Sequence, residues 1–284
     1  MKDFLAKITR QLYILPGGYY VYKIMSKIFP PSQTSDIKII ETPFHFKIKV
    51  DLSKYLGFSI FWRGAHDWST IFVLKNFVEK DDIIFDIGAN IGEYTLYAAS
   101  LVNSNGKVYS FEPVQSMFYT LKQNVDLNSH LRNKIICVNK GLGNKKVILP
   151  IYDEQNNINE GLFSIHQKNF IHSKKIQDIE IDTLDNFVNE NYLDRIDFIK
   201  IDVEGHELYV LQGGIDAIKK FHPKLMIEMS EKNFNAAGYS KIDIFKLLED
   251  MGYSIFLILK RGQLKKVISS SELPEFCNIL AIPK

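Results

Sequence analysis

Cysteine is scarce in this chain: Cys137 and Cys277 are far apart and share no paired spacing. That excludes a disulfide framework and a cysteine-based zinc site. Each lies in an apolar run (Ile-Ile-Cys-Val and Phe-Cys-Asn-Ile-Leu), where a buried small hydrophobe is expected, and a reducing cytoplasm suits that usage. Long hydrophobic runs are also missing. No apolar stretch approaches the roughly 18 to 20 residues that span a bilayer. No small-residue cleavage site follows a short apolar core, so no secretory signal is expected. An excess of one charge is lacking too: 35 basic and 33 acidic residues leave a formal net charge of +2. Duplex binders usually carry a larger and more clustered basic excess, so nothing here calls for nucleic acid as a partner. There is no internal repeat and no low-complexity segment. The 284 residues are 46% hydrophobic and 24% charged, which is globular composition sufficient for one large domain or a domain with an extension.

What is present begins with a basic, aromatic segment. Residues 1–30 hold Lys2, Lys7, Arg10, Lys23 and Lys27 against Asp3, interleaved with aliphatic and aromatic side chains and broken at Pro16-Gly17-Gly18. A helical extension packed on the domain is one reading. Peripheral contact with an anionic membrane, at its cytoplasmic inner face, is the other. Pro30-Pro31-Ser32 reads as a linker, and residues 37–50 alternate through Ile37, Ile39, Phe44, Phe46, Ile48 and Val50 with the period of a strand. Residues 1–50 are thus expected to form a helical and β extension, and 51–284 the main domain.

Asp67 to Glu79 has helical spacing. From residue 82 the chain alternates strand, turn and helix. Apolar runs at Ile83–Ile87, Val108–Phe111, Ile135–Val138, Ile196–Ile201 and Leu225–Glu228 read as five strands. Helices are expected over Gly92–Leu101, Val114–Leu127, Leu208–Phe221 and Ile242–Met251, and two closing strands near 254–259 and 279–282. Residues 141–180 read as a β-rich insertion or an irregular loop. Continuously apolar strands alternating with amphipathic helices imply a parallel sheet covered on both faces. Ligands bind such sheets outside the carboxyl ends of the strands.

Asp86-Ile87-Gly88-Ala89-Asn90-Ile91-Gly92 falls where the first of these strands turns into its helix. Glycines there let the backbone approach a ligand and adopt conformations closed to other residues. Glu112 ends the next strand, and its two oxygens match the vicinal diol of a ribose. A tight turn with no ligand is the plain alternative. A dinucleotide site commonly has three glycines to seat a pyrophosphate, which Asp86 would repel. The same carboxylate suits the ammonium end of S-adenosylmethionine.

A second cluster, Lys200, Asp202, Glu204, Gly205, His206 and Glu207, ends the fourth strand. Charges at a buried strand end are costly unless paired. The plain alternative is a salt-bridged strand end followed by a solvated helix start, with Glu207 exposed. Glu228 ends the fifth strand, Thr183 or Asp185 suits a helix cap, and His66-Asp67 reads as a surface loop that can also shape an acceptor cleft. The remaining histidines, His45, His130, His166, His172 and His222, have no metal-ligand spacing.

These segments together resemble the FkbM-type methyltransferase family. The matching runs are Phe85 to Thr95, Phe111-Glu112-Pro113 with Asn124 downstream, Thr183-Leu184-Asp185, Ile199 to Glu207 with Leu211 and Gly213, and Pro223 to Glu228. They cover about residues 80–230 in the family's order. The resemblance implies a class I methyltransferase Rossmann-like α/β fold: a mostly parallel seven-stranded sheet, its last strand antiparallel, with helices on both faces. It implies S-adenosylmethionine-dependent methylation of a hydroxyl on a sugar, glycan or other small-molecule acceptor. Asp86, Gly88, Asn90, Gly92 and Glu112 would bind the cofactor, with Ala89 and Pro113 beside them, and Asp202, Glu204 and Lys200 would line the reaction site.

An alcohol is a poor nucleophile until its proton is being removed. Asp202 and Glu204 are the candidate bases and His206 is their rival, since an ordinary imidazole titrates near neutrality. No dedicated metal centre is expected, although the carboxylates offer an alternative in which a divalent ion acidifies the hydroxyl. Three other functions stay open at this stage. They are a Rossmann-type NAD-dependent oxidoreductase, a nucleic-acid or protein methyltransferase, and a non-catalytic nucleotide-binding module. Against the second, Asp202-Val203-Glu204-Gly205 stands where amino-directed nucleic-acid enzymes commonly carry Asn/Asp-Pro-Pro-aromatic.

Overall fold

The computed structural model describes residues 1–15, 17–154, 163–166 and 173–284. Pro16, His172 and part of the expected insertion at 141–180 lie outside the described residues. The chain opens with two helices, α1 (Lys2–Tyr13) and α2 (Gly18–Ile28), and an antiparallel hairpin, β1 (Ile37–Glu41) and β2 (Lys47–Asp51). Helix α3 (Tyr55–Arg63) follows, unforeseen because its apolar residues are nearly continuous and show no period. Helix α4 (Trp68–Phe77) begins where Asp67 accepts a hydrogen bond from the Ser69 N–H.

The alternating part of the chain then runs β3 (Ile83–Ile87), α5 (Glu93–Leu101), β4 (Lys107–Phe111), α6 (Gln115–Asp126), α7 (Ser129–Arg132) and β5 (Ile135–Val138). The insertion is β-rich: β6 (Gly141–Leu142), β7 (Val147–Glu154) and β8 (Ser173–Asp182) form a separate sheet in the order β6-β8-β7. Next come α8 (Leu184–Glu190), β9 (Phe198–Ile201), α9 (Glu207–Gln212), α10 (Ile215–Phe221), β10 (Lys224–Ser230), α11 (Glu231–Ala237) and α12 (Lys241–Asp250). The helix expected over 208–221 is therefore two, divided at Gly213-Gly214. Strands β11 (Tyr253–Ile258), β12 (Leu264–Val267) and β13 (Phe276–Pro283) close the chain.

The main sheet has the order β12-β11-β13-β10-β9-β3-β4-β5. Strands β5, β4, β3, β9 and β10 run parallel, and β13 is antiparallel to both β10 and β11. This is the expected class I arrangement of seven strands with one addition, the edge strand β12 paired antiparallel to β11. β12 places Lys265 and Lys266 side by side between Leu264 and Val267, too polar and too short to stand out in sequence. The pleat sends successive residues to opposite faces. Ile84, Val108, Phe198 and Met226 enter one core with α4, α5 and α6. Phe85, Phe111, Ile199 and Ile227 enter the other with α8, α9 and α12. Both faces are covered, as continuously apolar parallel strands require.

The N-terminal hairpin shares the first of these cores through Ile40, Phe46, Ile48 and Val50. The boundary expected at residue 50 falls inside β2. Two buried asparagines, Asn124 in α6 and Asn128 at the start of α7, bind that hairpin to the domain. The Asn128 side chain accepts from the Lys47 N–H at 2.7 Å and donates to the Lys47 carbonyl at 2.6 Å. The Asn124 side chain accepts from the Lys49 N–H at 2.6 Å and donates to the Ile91 carbonyl at 2.8 Å. They thus occupy the edge of β2 as a neighbouring strand would. Truncation leaves buried backbone groups unpaired, so Asn128→Ala and Asn124→Ala should each cost about 1–3 kcal/mol in urea unfolding. An unchanged midpoint for both would sink that reading.

Candidate active site

The carboxyl ends of β3, β4, β9 and β10 open into two adjoining cavities of about 540 and 390 Å³. The β3–α5 turn is shaped by three left-handed residues, Gly88 (φ 81°), Asn90 (φ 50°) and Gly92 (φ 91°). A Cβ on Gly88 would lie 1.8 Å from the Asp202 carbonyl oxygen, so only glycine lets this turn meet the end of β9. Gly88, Ala89 and Asn90 line the larger cavity, as do Glu112 and Pro113. Gly92 instead starts α5, and a Cβ there would meet Leu121 at 2.5 Å. Its part is helix packing.

Glu112 is buried and receives the Asn90 N–H on one oxygen and the Val114 N–H on the other, each at 2.8 Å. Both oxygens keep a lone pair free for a diol. Burial pushes this carboxyl up to about 7, against the lowering effect of its two backbone donors. Beside it, the Asn90 side-chain oxygen is buried with no hydrogen-bond partner among the described residues. A diol acceptor, an orphaned amide oxygen and a turn that tolerates no side chain fit the adenosine half of a nucleoside cofactor.

Asp86 takes a place the sequence did not anticipate. It is 1% exposed and lies beneath the turn, not on the cavity wall. Thr95 Oγ1 donates to Asp86 Oδ2 at 2.6 Å, and Asp86 Oδ1 is 3.6 Å from Lys200 Nζ. Lys200 also reaches Asp202 at 3.2 Å, donates to the Gly88 carbonyl at 3.0 Å and lies 4.8 Å from the Tyr94 ring centre. Burial works against its ammonium, but Asp202 and Asp86 outweigh it and hold the charge firmly in place.

Asp202 and Glu204 reach the larger cavity, with Glu204 in a left-handed conformation (φ 52°) and accepting from Asn233 at 2.9 Å. Burial, then Asp202 and Glu207, push Glu204 up to about 8. Burial and the same acidic neighbours lift Glu228 well above its ordinary range. Asp202, Glu204 and Glu228 offer carboxylate oxygens within 4.8 Å of one another, a spacing a divalent cation accepts. His206 lies 3.3 Å from His166 and against the Tyr209 ring. Burial and His166 push it down to about 3, which makes it a neutral imidazole and a feeble base. Glu207 is not the exposed residue expected. It is 1% exposed, takes the Val203 and Gly205 N–H groups, and closes its own loop. Thr183 caps α8, whereas Asp185 caps α10 through the Ala217 and Asp216 N–H groups.

The smaller cavity was largely invisible in the sequence. Tyr55 and Arg63 come from α3, His66 and Asp67 from the loop after it, and Phe276 and Asn278 from β13, more than 200 positions away. Glu93, also missed, is buried and anchors that loop by accepting the His66 N–H at 2.7 Å. The two cavities share Tyr55, His66, Tyr94, Lys200, Asp202, Glu228 and Phe276. The small sheet supplies an apolar wall to the larger one through Leu142, Ile151, Ile179 and Ile181.

A sequence profile described as "Methyltransferase FkbM domain" matches residues 86–255, more than half of the chain. The chain belongs to the FkbM methyltransferase family. It is 27% identical over 201 residues to methyltransferase sdnD of Sordaria araneosa, covering 62% of this chain and 75% of that one. It is 28% identical over 188 residues to the hexuronic acid methyltransferase AglP of Haloferax volcanii, covering 66% and 69%. Among solved structures it resembles an FkbM methyltransferase of Methylobacillus flagellatus at 19% identity with a TM-score of 0.49. That match covers 76% of this chain and 48% of the other, so this FkbM methyltransferase spans about half the length of that protein. Membership makes the chain an S-adenosylmethionine-dependent methyltransferase and displaces the oxidoreductase reading.

Two outcomes test the donor cavity. Gly88→Ala should abolish S-adenosylmethionine binding in calorimetry, because the new methyl group collides with the end of β9 and the φ is unfavourable. If Glu112 holds the donor's diol it does so best when ionised, and burial pushes its carboxyl up to about 7, so donor affinity should then rise with pH. We expect a Kd about tenfold weaker at pH 6 than at pH 8. Glu112→Gln should bind weakly with no such trend, and a pH-independent wild type would rule this role out.

Proposed function

We propose that this FkbM methyltransferase transfers the methyl group to a hydroxyl oxygen of a sugar or similar polyhydroxylated small molecule seated in the smaller cavity. The observation that carries the reading is the meeting of the two cavities at Lys200 and Asp202. One cavity has the features of a nucleoside site. The other places the Tyr55 and Phe276 rings among Asp67, Asn278 and Arg63, a lining that offers both ring faces and hydrogen bonds to a sugar. The hexuronic acid methyltransferase relative agrees with such an acceptor.

S-adenosylmethionine supplies an electrophilic methyl bound to a positively charged sulfur. The protein's part is to align the acceptor oxygen with that methyl and to take the hydroxyl proton as the oxygen–carbon bond forms and the carbon–sulfur bond breaks. Asp202 stands at the junction and receives the proton. The Lys200 ammonium, fixed at 3.2 Å from Asp202, stabilises negative charge growing on the oxygen. Glu204 keeps its proton below about pH 8 and donates toward the acceptor. A second reading rests on the three carboxylates within 4.8 Å, which would let a divalent ion acidify the hydroxyl in place of a base.

A screen of radiolabelled methyl transfer to monosaccharides and uronic acids tests the acceptor class. With an acceptor in hand, Asp202→Asn should lower kcat/KM by about a hundredfold or more while donor affinity stays within about threefold. His206→Ala should cost less than about tenfold. Wild-type activity should fall as pH rises through about 8, where Glu204 loses its proton, and Glu204→Gln should remove that fall. Loss of activity in EDTA, restored by Mg²⁺, would replace the base mechanism with the metal one.

A further inference from the structure

The two N-terminal helices are apolar on both sides. On α1 Leu5, Ala6, Thr9, Arg10 and Tyr13 face the protein, whereas Phe4 (68% exposed), Ile8 and Leu12 form a stripe at i, i+4 and i+8 that faces solvent. On α2 a second stripe with the same spacing, Tyr20 (69%), Ile24 (55%) and Ile28 (59%), also faces outward. A helix that only needs to cover a core buries its large apolar side chains.

Both helices are nevertheless firmly held. Arg10 donates to the Phe61 carbonyl, and the Arg63 guanidinium lies over the Tyr13 and Tyr22 rings at 5.0 and 5.7 Å. Phe29 stacks on Trp62. The outward stripes are therefore presented by a rigid base and are not frayed ends. Lys7, Lys23 and Lys27 are exposed on the same two helices, with Asp3 their one exposed acid.

We propose that this face docks on a bilayer containing anionic phospholipid, with the apolar stripes entering the interface and the lysines meeting headgroup phosphates. The charge decides between occupants. A second copy of the chain would bring lysines against lysines, whereas an anionic surface is complementary to them. Among the described residues no helix is long and apolar enough to cross a membrane, so the contact is peripheral. Helix α3, which carries Arg63 under this face, also lends Tyr55 and Arg63 to the smaller cavity. The docking surface and part of the acceptor wall thus belong to one three-helix unit.

Sedimentation of the full chain with vesicles tests this independently of any methyl transfer. Binding to equimolar phosphatidylcholine and phosphatidylglycerol should exceed binding to phosphatidylcholine alone by at least about tenfold and weaken with salt. Each lysine near such a surface contributes roughly fivefold, so Lys7→Gln, Lys23→Gln and Lys27→Gln combined should weaken binding by about a hundredfold. Phe4→Glu with Ile24→Glu should release the protein from either vesicle, while thermal unfolding and S-adenosylmethionine binding stay as in the wild type. A wild type that remains in the supernatant would overturn the proposal. So would a dimer in sedimentation velocity that the glutamate variant dissolves.

Discussion

An unpaired ammonium buried at the end of a strand costs several kcal/mol, and the way Lys200 avoids that cost organises the site. Its position on β9 lies beside Asp86 on β3, and both residues are almost fully enclosed. The ammonium therefore spends its interactions on Asp86, Asp202 and the Gly88 carbonyl, and so ties the β3 turn to the β9 loop. The turn can come that close because Gly88 has no side chain, and Asp202 is held at the junction of the cavities as a consequence. Thr95 completes the arrangement from α5 by satisfying the far oxygen of Asp86.

Around this fixed point the walls come from parts of the chain that do little for the main sheet. The described part of the insertion forms its own three-stranded sheet and contributes aliphatic side chains to the larger cavity. The segment from Tyr55 to Thr70 lines the smaller cavity and is itself held by Glu93 and by the N-terminal helices packed on α3. The family core thus lines the larger cavity with the glycine turn and the charged strand ends, and the additions on either side of it supply much of the remaining wall.

The five parallel strands were legible because each is a short apolar run closed by a turn, and α6 and α12 because their apolar residues keep a helical period. β12 was not, since an edge strand with two lysines carries no apolar signal, and the helix over 208–221 divides because Gly213 packs against the Gly143 carbonyl. Within the site, Gly88, Ala89, Asn90, Glu112, Pro113, Lys200, Asp202, Glu204 and His206 all reach the larger cavity. The sequence placed them at strand ends, and strand ends are where a parallel sheet exposes side chains to ligand. Burial was harder to judge. Glu207 was expected in solvent and is enclosed. Asp86 was expected at the ligand and is committed to Lys200 and Thr95.

What the sequence determined by itself is the order of the five parallel strands, the glycine turn, the acid after the second strand and the charged end of the fourth. Those features depend on neighbours a few positions apart, within reach of local geometry and hydrophobic period. Tertiary structure alone decided which carboxylates keep their protons, because that depends on burial and on charges brought together from different strands. It also decided the smaller cavity, whose walls come from residues 55–70 and 276–278 and meet only once the antiparallel β13 has inserted beside β10.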